Sequence, residues 1–208
     1  MTEKYPLSIP CIMIIDDDES VREALLLLMK SIKLTARAFA SATEFIEQYQ
    51  PMQRGCIISD IRMPGMSGLA LQQELKQRNA CQPLIFITGH GDIAMAVDAI
   101  KDGAFDFLTK PFRDQDLLDT IDNALEENAV RLAAIDQRNK ISQRLESLTA
   151  RERQVLDLVL AGQPNKLIAE YLHLSPRTVE VHRSHMMEKM QAPNATELIK
   201  LMQQFVSA

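Results

Sequence analysis

The chain has 208 residues, of which 46% are hydrophobic and 25% charged, and this composition is typical of a globular protein with one large domain or two small ones. It has no apolar run near the roughly 20 residues that a membrane helix needs, and its start, MTEKYPLSIP, lacks the basic and apolar regions of a secretory signal, so we expect a cytoplasmic protein. The net charge of −5 divides into −6 for residues 1–125, 0 for 126–147 and +1 for 148–208, so charge alone is weak evidence for nucleic-acid binding.

The first 125 residues alternate short apolar runs with amphipathic segments. The apolar runs are typical of buried strands and read CIMII, TARAFA, GCIIS, PLIFIT and FDFLT. The segments with helical spacing read ESVREALLLLMKSI, SATEFIEQY, SGLALQQELKQR and DIAMAVDAIKDG, with Ser41 and Ser67 as candidate caps. This alternation predicts an α/β domain of the flavodoxin-like, doubly wound type, with a five-stranded parallel sheet between helices. Cys11, Cys56 and Cys81 lie in apolar contexts and are predicted to be buried, reduced thiols.

The rest of the chain has a helical pattern. No Gly or Pro interrupts residues 114–148, which predicts a last helix of the first domain that continues into a helical linker over 126–147. Four helical segments then begin with the candidate caps Thr149, Asn165, Ser175 and Asn194. They predict a small all-α domain of four helices over 148–208.

Polar residues directly follow the predicted strands of the first domain. They are Asp16 and Asp17 after the first strand, Asp60 after the third, Thr88 after the fourth and Lys110 after the fifth. We expect them to converge, because ligands of open parallel sheets bind beyond the carboxyl ends of the strands. Clustered carboxylates repel one another unless a cation holds them, and hard oxygen ligands suit Mg²⁺. A carboxylate at such a site can accept a phosphoryl group, and Asp60 is the candidate nucleophile. Asp18 and Glu19 are assigned to the start of the next helix.

Four ordered motifs, IIDDDESVR, ISDIRMPGMSG, FITGHGD and FLTKPF, resemble the receiver domain of bacterial two-component response regulators, which we place at residues 1–125. The resemblance implies that a sensor histidine kinase phosphorylates Asp60. It implies a Mg²⁺ site, which Mn²⁺ or Ca²⁺ could also fill, formed by Asp16, Asp17, Asp60 and the backbone carbonyl of Arg62. It further implies a cis Lys110–Pro111 peptide, a contact from Lys110 to the phosphoryl group, and a switch formed by Thr88 and Phe107. Phe107 stands where Tyr is also common in the family, so a contact through that hydroxyl is absent here.

The segment NKLIAEYLHLSPRTVEVHRSHMMEKM has helix-turn-helix order, with Val179, Met186 and Met190 predicted to face a core. From the residues alone, its second helix fits a solvated amphipathic helix equally well. LTARERQVLDLVLAGQPNKLIAEYLHLSPRTVEVHR, however, resembles the LuxR-type DNA-binding domain of the NarL/FixJ subfamily, over residues 148–208. The resemblance implies that helix 175–190 enters the major groove and that the final helix, 194–206, dimerises. It implies phosphate contacts from Lys166, Arg177, Thr178 and Arg183, and base contacts from Glu180, Val181 and Ser184.

The sequence therefore predicts a response regulator in which phosphorylation of Asp60 controls sequence-specific DNA binding and activates transcription. The expected partners are a histidine kinase, promoter DNA, RNA polymerase and a second copy of the chain, and no enzymatic activity is expected beyond slow autodephosphorylation. One alternative is a haloacid-dehalogenase-type phosphohydrolase with Asp16 as nucleophile, which leaves Asp60 and the C-terminal domain unexplained. Another is a dimerisation module that acts without phosphorylation. His182 and His185 are predicted to be helix-surface residues rather than metal ligands.

Overall fold

The computed structural model describes residues 9–89 and 93–207, and the chain divides into two compact units, Met1–Leu132 and Ala133–Ala208. In chain order the elements are β1 (Cys11–Ile15), α1 (Glu19–Ser31), β2 (Thr35–Phe39), α2 (Ala42–Gln48), β3 (Gly55–Asp60), α3 (Gly68–Gln77), β4 (Leu84–Thr88), α4 (Ile93–Lys101), β5 (Asp106–Thr109), α5 (Asp114–Glu146), α6 (Ala150–Leu160), α7 (Asn165–Leu172), α8 (Pro176–Met190) and α9 (Ala195–Ser207). None of these helices is long and apolar enough, over the described residues, to cross a membrane.

The first unit is built on a parallel sheet with the strand order β2-β1-β3-β4-β5. This confirms the predicted doubly wound architecture. The central strands are buried on both faces, which explains their continuous apolar runs. Met13 and Ile15 belong to the core cluster on one face, together with Phe45 and Leu71 of α2 and α3. The intervening positions of β1 belong to the opposite cluster, which includes residues of α1 and α5.

The predicted thiols and helix starts of this unit are confirmed. Cys11, Cys56 and Cys81 are free and buried, and burial raises the pKa of each thiol above its usual value. Ser41 and Ser67 accept hydrogen bonds from backbone amides at the starts of α2 and α3. These caps satisfy amides that have no partner within the helix.

Backbone contacts and one buried amide close the amino end of the sheet. The Asn128 side chain, on α5, accepts from the Gly55 amide at 2.9 Å and donates to the Cys81 carbonyl at 3.0 Å. Gly55 lies so close to β1 that a Cβ there would stand 1.9 Å from the Cys11 carbonyl oxygen. The amino end is thus tightly packed, whereas the carboxyl ends of the strands carry the polar groups.

The second unit contains the four predicted C-terminal helices around one apolar core. Val179, Met186 and Met190 of α8 are buried in it, as predicted. Leu145 and Leu148, which flank the end of the predicted linker, pack in the same core. The end of α5 is therefore part of this unit's fold.

Three of the four predicted caps in the second unit are confirmed. Thr149, Ser175 and Asn194 each accept a bond from a backbone amide three residues later. The prediction for Asn165 was wrong. Pro164 occupies the cap position of α7 without a side-chain hydrogen bond, and Asn165 is the first helical residue. Its side chain accepts instead from Arg183 of α8, a long-range contact that local sequence does not reveal.

Candidate functional site

The candidate site lies where β1 and β3 end side by side. The chain leaves β1 toward β2 on one side and leaves β3 toward β4 on the other, and such a divergence opens a crevice beyond the strand ends. Carboxylate oxygens of Asp16, Asp17 and Asp60 lie within 4.8 Å of one another there. The structure thus brings together the three aspartates that the sequence assigned to one site.

The aspartates that follow β1 differ in burial and in bonding. Asp16 is 2% exposed, and its Oδ1 accepts from the Asp18 amide at 2.9 Å while its Oδ2 accepts from Lys110 Nζ at 2.9 Å. Asp17 is exposed. Asp18 caps α1 by accepting from the Ser20 amide at 2.8 Å, and Glu19 is the first helical residue. Asp18 is therefore engaged in starting the helix and stands apart from the carboxylate cluster.

Asp60 is positioned by the loop that follows β3. Its Oδ1 accepts from the backbone amide of Arg62 at 3.0 Å, and its side chain is 16% exposed. The loop returns so closely that a Cβ on Gly68 would stand 2.3 Å from the Asp60 carbonyl oxygen. The Gly68 amide also donates to the Ile61 carbonyl at 2.9 Å. Only glycine permits this approach, which keeps Arg62 beside the carboxylate.

Lys110 connects two of the carboxylates. Its Nζ lies 2.9 Å from Asp16 Oδ2 and 2.9 Å from Asp60 Oδ2. Its backbone amide donates to the Thr88 carbonyl at 2.8 Å, and the Lys110–Pro111 peptide is cis, as the resemblance implies. Burial lowers the pKa of Lys110, but the hydrogen bonds and charges of Asp16 and Asp60 outweigh it and hold that pKa above its usual value. The side chain therefore remains a cation at neutral pH.

Thr88 and Phe107 lie on the strands beside Asp60. Thr88 is buried at the end of β4, where the preceding residue pairs with Asp60, and its hydroxyl donates to the Gly89 carbonyl at 3.3 Å. Phe107 is half-buried on β5 and packs against the core cluster that contains Phe86. Residues 90–92, which complete the FITGHGD motif and include the predicted start of α4, lie outside the described residues.

The donor set of this crevice fits a small hard cation. The three carboxylates carry more negative charge than the single Lys110 ammonium offsets. Their oxygens also have lone pairs that can bind a metal ion. Mg²⁺ prefers such donors at about 2 Å and retains several waters. The exposed Asp17 and partly exposed Asp60 leave one side of the set open to water.

In the second unit, α8 presents most of the predicted DNA-contacting residues to solvent. Those that are exposed are Lys166 on α7 and Arg177, Glu180, Val181 and Ser184 on α8. Thr178 and Arg183 are half-buried instead. Thr178 shares a hydrogen bond with the Ser175 hydroxyl at 2.8 Å, and Arg183 Nη1 donates to Asn165 Oδ1 at 2.6 Å. Of the two histidines on α8, His182 is half-buried and His185 is exposed.

One ion pair between α6 and α8 was missed by the sequence analysis. Glu152 is 4% exposed, and its Oε2 lies 2.6 Å from Lys189 Nζ, which joins the start of α6 to the end of α8. The hydrogen bond from Lys189, reinforced by bonds from Thr149, lowers the pKa of Glu152 to about 2 against the opposing effect of burial. The capping-box spacing of Thr149 and Glu152 is a local signal for part of this arrangement, whereas the partner on α8 has none.

Comparison with protein families assigns both units. The response regulator receiver domain matches residues 12–122, and the luxR family of bacterial regulatory proteins matches residues 146–202. The chain belongs to the two-component response regulators of the NarL/FixJ type. This response regulator is 44% identical over 196 residues to the transcriptional regulatory protein FixJ of Azorhizobium caulinodans, covering 94% of this chain and 92% of that protein. It is 46% identical over 190 residues to the response regulator protein TmoT of Ectopseudomonas mendocina, covering 91% and 86%.

Solved structures of response regulators resemble this regulator over nearly its whole length. The response regulator StyR has a TM-score of 0.86 at 43% identity, covering 95% of this chain and 100% of that one. Full-length FixJ from B. japonicum has a TM-score of 0.59 at 38% identity, covering 96% and 98%. A receiver joined to a LuxR-type domain implies a histidine kinase and DNA as partners. Since the relatives are regulators of transcription, the family match argues against the phosphohydrolase alternative.

Proposed function

We propose that Asp60 accepts a phosphoryl group from a sensor histidine kinase and that this phosphorylation controls sequence-specific DNA binding and activates transcription. The observation that carries the proposal is the pair of 2.9 Å contacts from Lys110 Nζ to Asp16 and Asp60 at the end of β3. In this proposal residues 1–125 form the receiver, 126–147 the helical linker and 148–208 the DNA-binding domain.

Accessibility favours Asp60 over Asp16 as the nucleophile. Each carboxylate accepts two hydrogen bonds, one of them from Lys110, so bonding alone does not separate them. The Asp16 side chain, however, is nearly inaccessible. Asp60 is partly exposed, and the Arg62 amide orients its carboxylate by binding Oδ1. A carboxylate held in this way can meet an incoming phosphorus atom in line, and positioning is the main protein contribution to phosphoryl transfer.

The cation in this proposal is Mg²⁺, with Mn²⁺ or Ca²⁺ as substitutes. The side chains of Asp16, Asp17 and Asp60 and the Arg62 carbonyl would hold it, and it would neutralise charge on the transferring phosphoryl oxygens. An Asp60 oxygen bonds to phosphorus as the phosphorus–nitrogen bond of the kinase phosphohistidine breaks, and the imidazole leaves with the electron pair. Lys110 donates to the phosphoryl oxygens, because its ammonium already lies within hydrogen-bonding distance of Asp60.

Thr88 and Phe107 form the switch in the proposed mechanism. The Thr88 hydroxyl gives up its 3.3 Å bond to Gly89 and donates to the new phosphoryl oxygens, and Phe107 turns inward as it does so. New anionic acceptors would thereby favour one of two packing states of the receiver. We propose that the second state forms a homodimer, with α9 as a further dimer contact, and recruits RNA polymerase at the promoter.

DNA binding is assigned to α8, with its first turns in the major groove. The observation that supports this assignment is that one side of α8 is buried in the core of the unit and the other side is exposed. The exposed side chains are those of Arg177, Glu180, Val181 and Ser184. Lys166, Arg177, Thr178 and Arg183 contact phosphates, and Glu180, Val181 and Ser184 lie near base edges.

The phosphoacceptor is tested by incubating the protein with labelled acetyl phosphate and Mg²⁺. Wild type should be labelled and Asp60→Asn should not, since the amide cannot form the acyl phosphate. Asp122→Asn, which changes an exposed aspartate of α5, is the matched control and should be labelled like wild type. Persistent labelling of Asp60→Asn would move the nucleophile to another residue.

Control of DNA binding is tested by comparing affinity and oligomeric state with and without the phosphodonor. The phosphorylated protein should sediment as a dimer and bind promoter DNA more tightly, because a dimer engages two half-sites at once. Equal affinity of the two forms would favour the module that dimerises without phosphorylation.

A further inference from the structure

The carboxyl end of α8 is held by a side chain from α5. Arg144 Nη1 donates to the Met190 carbonyl at 3.3 Å, and Arg144 Nη2 donates to Gln191 Oε1 at 2.6 Å. Gln191 ends the helix in the left-handed conformation, with φ of 53°. The last carbonyls of a helix lack partners within it and carry partial negative charge, so a guanidinium is well matched to this position.

The end of α5 is in turn held by cations from its neighbours. Lys189 Nζ donates to the Ser147 carbonyl at 3.2 Å, and Arg153 Nη2 donates to the Leu145 carbonyl at 2.6 Å. The Leu145 side chain packs on the core of the same unit. The ends of α5 and α8 therefore cap each other, and either helix can rotate or slide only by breaking charged hydrogen bonds.

We propose that Arg144 is a positioning residue for DNA binding, which fixes the carboxyl end of α8 so that its exposed residues meet base edges in one register. The inference rests on the proposed role of α8 in the major groove. Arg183, in the middle of α8, donates to Asn165, and Lys189 near the carboxyl end pairs with Glu152. Arg144 adds an attachment at the last helical carbonyl, and together these contacts define the orientation of the helix. Base readout depends on placing side chains to within about 0.5 Å, a precision that needs supporting contacts of this kind.

The planar fork of Arg144 is the feature that matters in this contact. Its two nitrogens reach a main-chain carbonyl and a side-chain amide oxygen at once, which a single lysine ammonium on a flexible stem does not reproduce. Lys140, one turn earlier on α5, provides a charge-matched comparison because its ammonium pairs with Asp136 of its own helix. Arg144→Lys therefore keeps the charge and removes the fork, whereas Lys140→Ala removes a charge and leaves the fork.

The test measures discrimination between DNA sequences by the full-length protein. Wild type is first used to select a duplex from a random pool, and affinities for that duplex and for a scrambled duplex are then compared. Arg144→Ala and Arg144→Lys should each lower the ratio of the two affinities by about 5- to 10-fold, a loss of the size expected for one poorly read base pair. Lys140→Ala should leave the ratio unchanged. Amide hydrogen exchange over residues 186–192 should accelerate in both Arg144 variants and not in Lys140→Ala.

The outcomes separate this inference from the proposed function. If wild type enriches no duplex, the proposed DNA-binding function fails, and the positioning role fails with it. If wild type enriches a duplex and both Arg144 variants keep the wild-type ratio, the positioning role alone is overturned. A loss in Arg144→Ala that Arg144→Lys restores would overturn it as well, because charge would then suffice. An equal fall in both affinities, with the ratio preserved, would assign Arg144 to folding only.

Discussion

Lys110 Nζ lies 2.9 Å from Asp60 Oδ2, although 50 residues separate them in the chain. The same nitrogen reaches Asp16, so one ammonium holds carboxylates from two neighbouring strands. These contacts raise the pKa of Lys110 against the opposing effect of burial, and so favour the cation. The contact between Lys110 and Asp60 thus places the candidate nucleophile beside a positive charge that can stabilise the phosphoryl group.

Removing this ammonium should destabilise the receiver when divalent cations are absent. Lys110→Ala leaves the buried Asp16 carboxylate without its charged partner, and we expect a loss of about 1–3 kcal/mol in the free energy of unfolding. Excess Mg²⁺ should recover part of that loss, because it binds the same oxygens in the folded state. Calorimetry with EDTA and with Mg²⁺ measures both effects. Lys101→Ala removes an exposed lysine and serves as the control, and equal behaviour of the two variants would contradict the prediction.

The contact between Arg183 and Asn165 makes a prediction about salt dependence. Arg183→Ala should weaken binding to all DNA sequences and reduce the slope of log affinity against log salt by about 1. Asn165→Ala should weaken binding by roughly 2- to 10-fold with an unchanged slope, because the charge stays but the side chain must be ordered on binding. Salt titrations of the affinity measure both quantities.

A double variant tests whether Asn165 and Arg183 act through the same phosphate contact. Asn165→Ala combined with Arg183→Ala should bind no more weakly than Arg183→Ala alone, since both changes affect one phosphate contact. Gln154→Ala, which removes an exposed amide from α6, is the control and should match wild type. Additive losses would show that Asn165 acts independently of Arg183, and an unchanged slope for Arg183→Ala would remove its phosphate role.

The ion pair of Glu152 and Lys189 predicts a dependence of stability on pH. Glu152→Gln should lower the free energy of unfolding of the second unit by about 1–3 kcal/mol at neutral pH. The pKa of Glu152 is depressed from 4.5 to about 2, so its stabilisation is complete above the unfolded value and is lost as pH falls through the folded one. The difference between wild type and Glu152→Gln should therefore shrink between about pH 4.5 and pH 2.

This pH dependence can be measured by urea titrations followed through amide NMR signals of residues 150–205. Glu170→Gln, an exposed position on α7, should show little difference from wild type at any pH. A stability difference for Glu152→Gln that stayed constant down to pH 2 would mean that its carboxylate does not titrate with the lowered pKa.

Asn128 should contribute to receiver stability through its buried amide. Asn128→Ala leaves the Gly55 amide and the Cys81 carbonyl without that partner at the closed end of the sheet, and we expect a cost of about 1–3 kcal/mol. Asn123→Ala, at an exposed position of the same helix, is the matched control. Chemical denaturation of the receiver measures the difference, and equal stability of the two variants would show that water replaces the lost bonds.

Local sequence determined the elements of this protein and most of the residues that cap its helices. Apolar runs such as that of β1 are stable only when both faces of the sheet are buried. Because the strands are parallel, the residues that follow them lie at one edge of the sheet. Asp16, Asp60 and Lys110 could therefore be assigned to one site before their distances were known. The buried side of α8 followed in the same way from helical spacing at Val179 and Met186.

Only the tertiary structure decided which side chains pair across the fold. Asn165 is a residue type that favours helix caps, yet the cap position of α7 falls on Pro164 and the Asn165 side chain accepts from Arg183. A partner on another helix cannot be read from a short stretch of chain. Arg144 is one more charged residue on a polar helix until folding places it at the end of α8. The periodicity of apolar residues specifies which elements form, and the parallel direction of the strands specifies which edge of the sheet carries the polar site residues. Long-range packing sets the hydrogen-bond partners of long polar side chains.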